Sequence, residues 1–421
     1  MIRIRVAALI VANALTARAV LPQATSACST MAGPSRRLEL PDGRVVSADF
    51  RSMARSGSTV LAVGRHAYVF PASAGSLTPP QLPDSIIGVT IDGRGAVALV
   101  PNPSLPVRVF HPRVAPAPDG RFHALWVTGL DSVVDLPEPA DTATLWHSTF
   151  GNGQWTTPSR LMTFRGARLN PELASALIAH NDELAVLFPF VERRTTLAEG
   201  GAILLRLRAG RWVADTLRTP SAPIITRALY RGEGIISLLT FTDTTVGRSE
   251  GLYFSRFEDG WSRPVRIAGD GTLPVTAPVL VQRDSGYLVS WIDWRWLDAQ
   301  SAKLEWMLMD STGRSTVRGR VDSGPPTYPY ELTMVGGRHP LWLYRGTPPG
   351  NSVAMAVLLD STVARLPSIV APFRNPLPAT LALSENRFLL FTQKLALTDN
   401  EPMAASFMTE IEVRCPRTGR R

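Results

Sequence analysis

The chain has 421 residues, of which 45% are hydrophobic, 19% charged and 8% aromatic, enough apolar mass for a large core and too much for a disordered or fibrous protein. Its formal charge of +9 comes from 44 Lys and Arg against 35 Asp and Glu, and Lys303 and Lys394 are the only lysines. The arginines are spread without a basic run or a nucleic-acid-binding signature, so no nucleic-acid partner is expected.

Residues 1–27 read as a signal peptide. Met1 to Arg5 supply a basic start, Val6 to Leu15 an apolar stretch, and Ala17-Arg18-Ala19 or Thr25-Ser26-Ala27 a small-residue cleavage site. That stretch is shorter than the roughly 20 residues of a membrane span, and no later segment is long enough. A secreted or periplasmic protein without a transmembrane segment is therefore expected. The two cysteines, Cys28 and Cys415, bracket the remaining chain and suit a disulfide joining its ends in an oxidising compartment. The alternative is a lipid anchor on Cys28, although Thr25 stands where lipoprotein sites usually carry a large apolar residue.

From residue 112 onwards six segments share one arrangement: a Pro, a short apolar strand, a turn, and a second strand ending in an aromatic or Leu. The prolines are Pro112, Pro171, Pro223, Pro278, Pro329 and Pro378. Their partners Trp126, Phe188, Leu239, Trp291, Trp342 and Phe391 are spaced by 62, 51, 52, 51 and 49 residues. A period near fifty built from short strands predicts an all-β fold, a β-propeller with one blade per repeat. Thr59 to Val63 and Ala96 to Val100 add two small blades or one large irregular one, so seven or eight blades are expected. The last unit has strands near Ala379–Leu383, Arg387–Thr392 and Ala404–Val413. A strand near Arg36–Leu40 would complete it as a closing strap and bring Cys28 beside Cys415. Residues 28–416 then form a single propeller domain, and 417–421 a disordered tail.

Three segments, Ser148 to Trp155, Arg208 to Trp212 and Ser255 to Trp261, resemble degenerate Asp-box hairpins of the sialidase-like (BNR repeat) propellers, in which Ser-x-Asp-x-Gly-x-x-Trp folds a turn and packs its Trp between blades. Phe150 replaces the Asp, the Ser255 copy is one residue short, and Asp310 to Gly313 lacks the Trp. These tryptophans read first as core packers. The resemblance implies an enzyme with three arginines on the substrate carboxylate, a Tyr–Glu pair and an Asp acid. Its early Arg-Ile-Pro motif is absent after the leader, and Tyr330 and Glu331, adjacent in a strand, would point to opposite faces.

Propeller ligands usually meet the loops that follow the second strands. The candidate binding residues are Asp293, Trp294, Arg295 and Trp296, with Tyr344, Arg345, Glu192, Arg193 and Asp243. Trp294 and Trp296 beside Arg295 and Asp293 combine stacking rings with charge, while an Arg stacked on Trp and paired to Asp to stiffen the loop is the first reading of those four residues. The six histidines show no metal-ligand spacing, and His123 and His339 are expected to cap strands. No metal, cofactor, phosphate loop or nucleophile elbow is expected. The functional expectation is an exported, monomeric, non-catalytic propeller binding a glycan, a cell-envelope polymer or an envelope protein. The alternative is a divergent sialidase-like glycoside hydrolase.

Overall fold

A computed structural model describes residues 28–71, 84–104, 110–128, 143–164, 176–191, 200–220, 223, 225–232, 234–243, 249–269, 275–283, 286–295, 298–310, 312–321, 332–336, 339–345, 352–370, 379–394 and 405–415. The leader, the tail and Tyr330-Glu331 lie outside them. The described residues form seven antiparallel sheets, so the blade count is seven.

Each sheet runs from an inner to an outer strand. Blade 1 holds Arg44–Ser56, Thr59–Pro71, Asp84–Ile91 and Val97–Val100, and blade 2 holds Phe110–Pro116, Phe122–Thr128 and Ala143–Gly151, flanked by Gln154–Trp155 and Ser159–Phe164. Blade 3 comprises Ala176–His180, Glu183–Val191, Gly200–Arg208 and Arg211–Thr219, and blade 4 Ile225–Arg231, Gly234–Asp243, Ser249–Phe257 and Val265–Ala268. Blade 5 comprises Val275–Arg283, Gly286–Arg295, Asp298–Met309 and Ser315–Arg320, and blade 6 Leu332–Val335, Leu341–Arg345, Ser352–Leu359 and Thr362–Val370. Blade 7 takes Ala379–Ala382, Arg387–Lys394 and Ala405–Arg414 from the end of the chain, and Ser29–Ala32 and Arg36–Arg37 from its beginning. Neighbouring inner strands touch around the ring, blade 7 meeting blade 1. The expected strap is thus present, in two pieces on the last strand.

The core lies between the blades. Seven apolar clusters each combine residues of two neighbouring sheets, one cluster per interface. Strand alternation explains this: successive side chains face opposite sides, so Leu125 and Val127 pack towards blade 3 while Ala124 and Trp126 pack towards blade 1. Trp126, Phe188, Leu239, Trp291 and Trp342 all face the preceding blade. The last repeat is offset by one: Leu390 takes that role, and Phe391 faces blade 1.

The box-like hairpins act as inter-blade pins. Asn152 and Gly153 turn with φ of 53° and 77°, Ser148 Oγ donates to the Thr156 carbonyl at 2.7 Å, and Trp155 Nε1 donates to the Pro101 carbonyl beside blade 1 at 2.9 Å. In the second copy Ser255 Oγ donates to the Ser262 carbonyl at 2.7 Å. Phe150 and Phe257, where the box has Asp, lay their rings on Trp155 and Trp261, with centroids 4.9 and 5.3 Å apart. Where the Trp is missing, the Asp310 carboxylate accepts from the Thr312 and Arg314 amides. A Cβ on Gly313 would strike Phe254 of blade 4, which occupies that space.

Cys28 and Cys415 are disulfide-bonded and pack into the apolar cluster between blades 6 and 7. With its sulfur in that bond, Cys28 offers no thiol for a lipid. The bond spans 387 residues, so it restrains the unfolded chain strongly, and typical losses on removing a native disulfide are about 2–5 kcal/mol. Replacing both cysteines by Ser is expected to lower the denaturation midpoint and, in hydrogen exchange, to loosen Ser29–Ala32 before any other strand.

Candidate functional site

In a four-stranded up-and-down blade, the turns after the first and third strands lie at one end, and the connections after the second and fourth at the other. The turn end is tight: strands one and two of blade 2 are separated by residues 117–121, and strands three and four of blade 3 by Ala209 and Gly210. The long connections, such as 72–83, 129–142, 192–199 and 395–404, all leave from the opposite end. The loops favoured for binding therefore share one face.

Asp293, near the loop-face end of the second strand of blade 5, accepts from Trp291 Nε1 at 3.0 Å, which ties this carboxylate to a core indole. Trp294 and Arg295 follow in the same strand across a register shift, Arg295 lying opposite Asp298; their side chains lie outside the described residues, as do Trp296, Glu192 and Arg193. Asp243 ends the second strand of blade 4 opposite Ser249, and Arg345 that of blade 6 opposite Val353. Tyr344 is 1% exposed and packs between blades 5 and 6. Burial raises the proton affinity of its phenol above the ordinary value. The described candidates thus occupy one end of three successive blades, with Asp293 and Tyr344 engaged in packing.

Sequence reasoning missed a pair of arginines on the inner strands. Arg113 lies on the inner strand of blade 2 opposite Leu125, and Arg227 on that of blade 4 opposite Leu238. These are equivalent positions, each one step from the residue that faces the preceding blade. Blades 3, 5, 6 and 7 carry Ala176, Val279, Val335 and Leu381 there. Blade 3 separates the two arginines, yet the charge of Arg113 acts on the Arg227 guanidinium. Desolvation, and then the like charge of Arg113, push the Arg227 guanidinium down to about 10. Arg227 Nη1 also donates to the Thr226 carbonyl at 2.8 Å.

Blade 1 adds a second charged element. A register shift follows Phe50, and the adjoining Arg51 meets Asp49 at 2.6 Å, with side chains 18% and 13% exposed. Ser52 Oγ next to it accepts from the Val114 amide at 3.0 Å, which fixes the inner strand of blade 2 immediately beside Arg113. Among the seven described inner strands Asp49 is the one acidic residue. Among the described residues no group of three or more His, Cys, Asp or Glu is placed to hold a metal, and no helix is long and apolar enough to cross a membrane.

His123 does not cap a strand. It sits inside Phe122–Thr128, and its Nδ1 lies 3.1 Å from Nε2 of His147 on the neighbouring strand.

No protein-family model and no curated protein matches the chain. Among solved structures, the polysaccharide lyase Uly1 is similar at 9% identity, covering 90% of this chain and 92% of that one, with a TM-score of 0.56. An alpha-L-arabinanase of Penicillium chrysogenum, complexed with arabinobiose, matches at 14% identity over 72% of this chain and 93% of that one, TM-score 0.46. A neuraminidase-like protein from A/bat/Guatemala/164/2009 matches at 9% identity over 74% and 90%, TM-score 0.46. Likeness at these identities concerns architecture alone, and together with the seven sheets it makes the fold a seven-bladed β-propeller.

Proposed function

We propose that the protein is an exported, non-catalytic propeller that binds an anionic glycan, seating a carboxylate of a uronate-bearing polymer in the central channel. The electrostatic proximity of Arg113 and Arg227, from the inner strands of non-adjacent blades, carries the reading. The two guanidinium groups repel one another. An entering carboxylate reverses the sign of the interaction, and the planar fork of Arg matches it with paired hydrogen bonds. The similarity to a polysaccharide lyase supports a polymeric sugar as the ligand class. The leader and the disulfide support export.

Binding is favoured over hydrolysis by the composition of the channel. Glycosidases of this general kind place two carboxyl groups about 5–9.5 Å apart around the scissile bond. On the described inner strands Asp49 stands alone and is committed to Arg51.

Titration calorimetry of the mature chain with polygalacturonate, and with neutral amylose as control, tests the reading. Polygalacturonate is expected to bind and amylose not to. A hydrogen bond to a charged group contributes about 1.5–3 kcal/mol, so Arg113→Ala or Arg227→Ala should weaken polygalacturonate roughly 30-fold. Unchanged affinity in both variants sinks the channel site, and release of new reducing ends by the wild type sinks the non-catalytic half.

A further inference from the structure

We propose that the His123–His147 pair is an acid-operated latch at the blade 2–blade 3 interface, and that a second proton on the pair loosens the sheet row that ends in channel residue Arg113. The regulatory consequence rests on the anionic-ligand reading above; the latch itself does not.

The geometry comes first. The imidazoles stand on adjacent strands with His123 Nδ1 3.1 Å from His147 Nε2 and ring centroids 5.3 Å apart. One nitrogen must donate and the other accept, so the contact requires at least one neutral ring. A pair protonated on both rings would set two N–H donors and two positive charges face to face. His147 is 9% exposed, and Trp212 on the outer strand of blade 3 packs edgewise on it at 5.3 Å. The pair therefore sits in the joint between two blades.

Register links this joint to the channel. Arg113 pairs with Leu125, Leu125 with His147, and His147 with Ser159, so the arginine and the histidine share one transverse row and face the same neighbour. At roughly 4.8 Å per strand, His147 lies about 10 Å from the Arg113 backbone. Leu125 between them belongs to the apolar cluster that Trp212 and Leu205 of blade 3 complete. Loss of the joint frees that row.

The surrounding charges leave the switch to the pair. Asp119 raises and Arg121 lowers the His123 imidazole from the turn below, opposing one another, while burial is the largest effect and brings it under the ordinary value. Burial, and then His123, push His147 down to about 4. On blade 3, Arg206, Arg208, Arg211 and Asp215 stand in rows that alternate away from Trp212, Arg206 reaching over Phe257 of blade 4. Arg218 shares the Trp212 side but lies six residues along the strand, roughly 20 Å away. Arg160, opposite Trp146, stands in the row next to that of His147 and faces the other way. Since the folded group is depressed from 6.5, the neutral latch is fully present above about pH 6.5. It weakens as pH falls towards about 4, because an opened His147 takes up a proton that the closed one refuses.

Hydrogen exchange read by mass spectrometry between pH 7 and 5, corrected for intrinsic rates, tests the latch in the mature wild type and in His147→Gln and His123→Gln. Melting at pH 8 verifies that each variant folds. Peptides covering Ala143–Gly151 and Arg211–Thr219 are expected to open roughly 20-fold more often at pH 5 than at pH 7 in the wild type. They should show no such change in His147→Gln and a smaller one in His123→Gln, where burial of His147 persists, and peptides of blade 5 should not respond in any of the three. An identical pH response in wild type and His147→Gln, or one spread over all blades, overturns the latch. Polygalacturonate affinity measured at the same two pH values should fall with acid in the wild type and hold in His147→Gln. Exchange that responds while affinity does not would overturn the coupling to Arg113. Absence of binding at both pH values would overturn the anionic-ligand reading and leave the exchange result to decide the latch alone.

Discussion

No sheet in this molecule has a core of its own. Each buries its two faces only against its neighbours, so every apolar cluster is the joint property of two blades and the ring is held by seven such seams. Burial at about 25 cal/mol per Å² then rewards closure of the circle, because an open ring would leave two full faces in water. The features that look local, such as the indole of Trp155 on the Pro101 carbonyl or that of Trp342 on Ser290 Oγ at 2.7 Å, are fasteners across those seams. Their polar ends find partners in the next blade, where an unpaired N–H would carry a desolvation cost.

The same arrangement explains which parts of the molecule could be read from residues alone. Second strands are buried on both faces and show as short continuous apolar runs, so Phe122 to Val127 and Tyr287 to Ile292 announce their blades directly. The count of seven was hidden by blade 1. Its first two strands shift register at Ser47–Asp49 and Phe50–Ser52, and its second and third at Val63–Ala67, which stretches the repeat until Thr59 to Val63 and Ala96 to Val100 resemble separate units. They are the second and outer strands of one sheet. The one-residue offset of Phe391 came from the same source, since a period counted along the chain is blind to which side of a strand a residue occupies.

The inner-strand arginines and the histidine pair were illegible for another reason. An Arg in a strand carries no mark that separates an inner-strand position from a solvent face, and Arg113 and Arg227 stand out only when blades are aligned through their registers and compared with Ala176, Val279, Val335 and Leu381. His123 and His147 are 24 residues apart and meet through a strand pairing that spacing does not disclose. The loop residues were legible as a set because their position follows from connectivity, yet Asp293 and Tyr344 show how a polar residue at a strand end is drawn into packing. The carboxylate serves an indole, and the phenol is buried between blades 5 and 6.

Blade 7 is assembled from both ends of the chain, with Ser29–Ala32 and Arg36–Arg37 lying on Ala405–Arg414. The strap segments precede all other described strands, but their partner follows all of them and emerges after the other described strands from a ribosome or a translocation pore. During that interval both segments must wait with open hydrogen-bonding edges while six complete blades form, and unpaired edges invite association with other chains. Exposed Arg36 and Arg37, together with the break in the strap at residues 33–35, are the kind of charged, interrupted edge that discourages such pairing. A chain delivered in one piece across a membrane shortens the wait, because both ends then reach the same compartment before folding is complete.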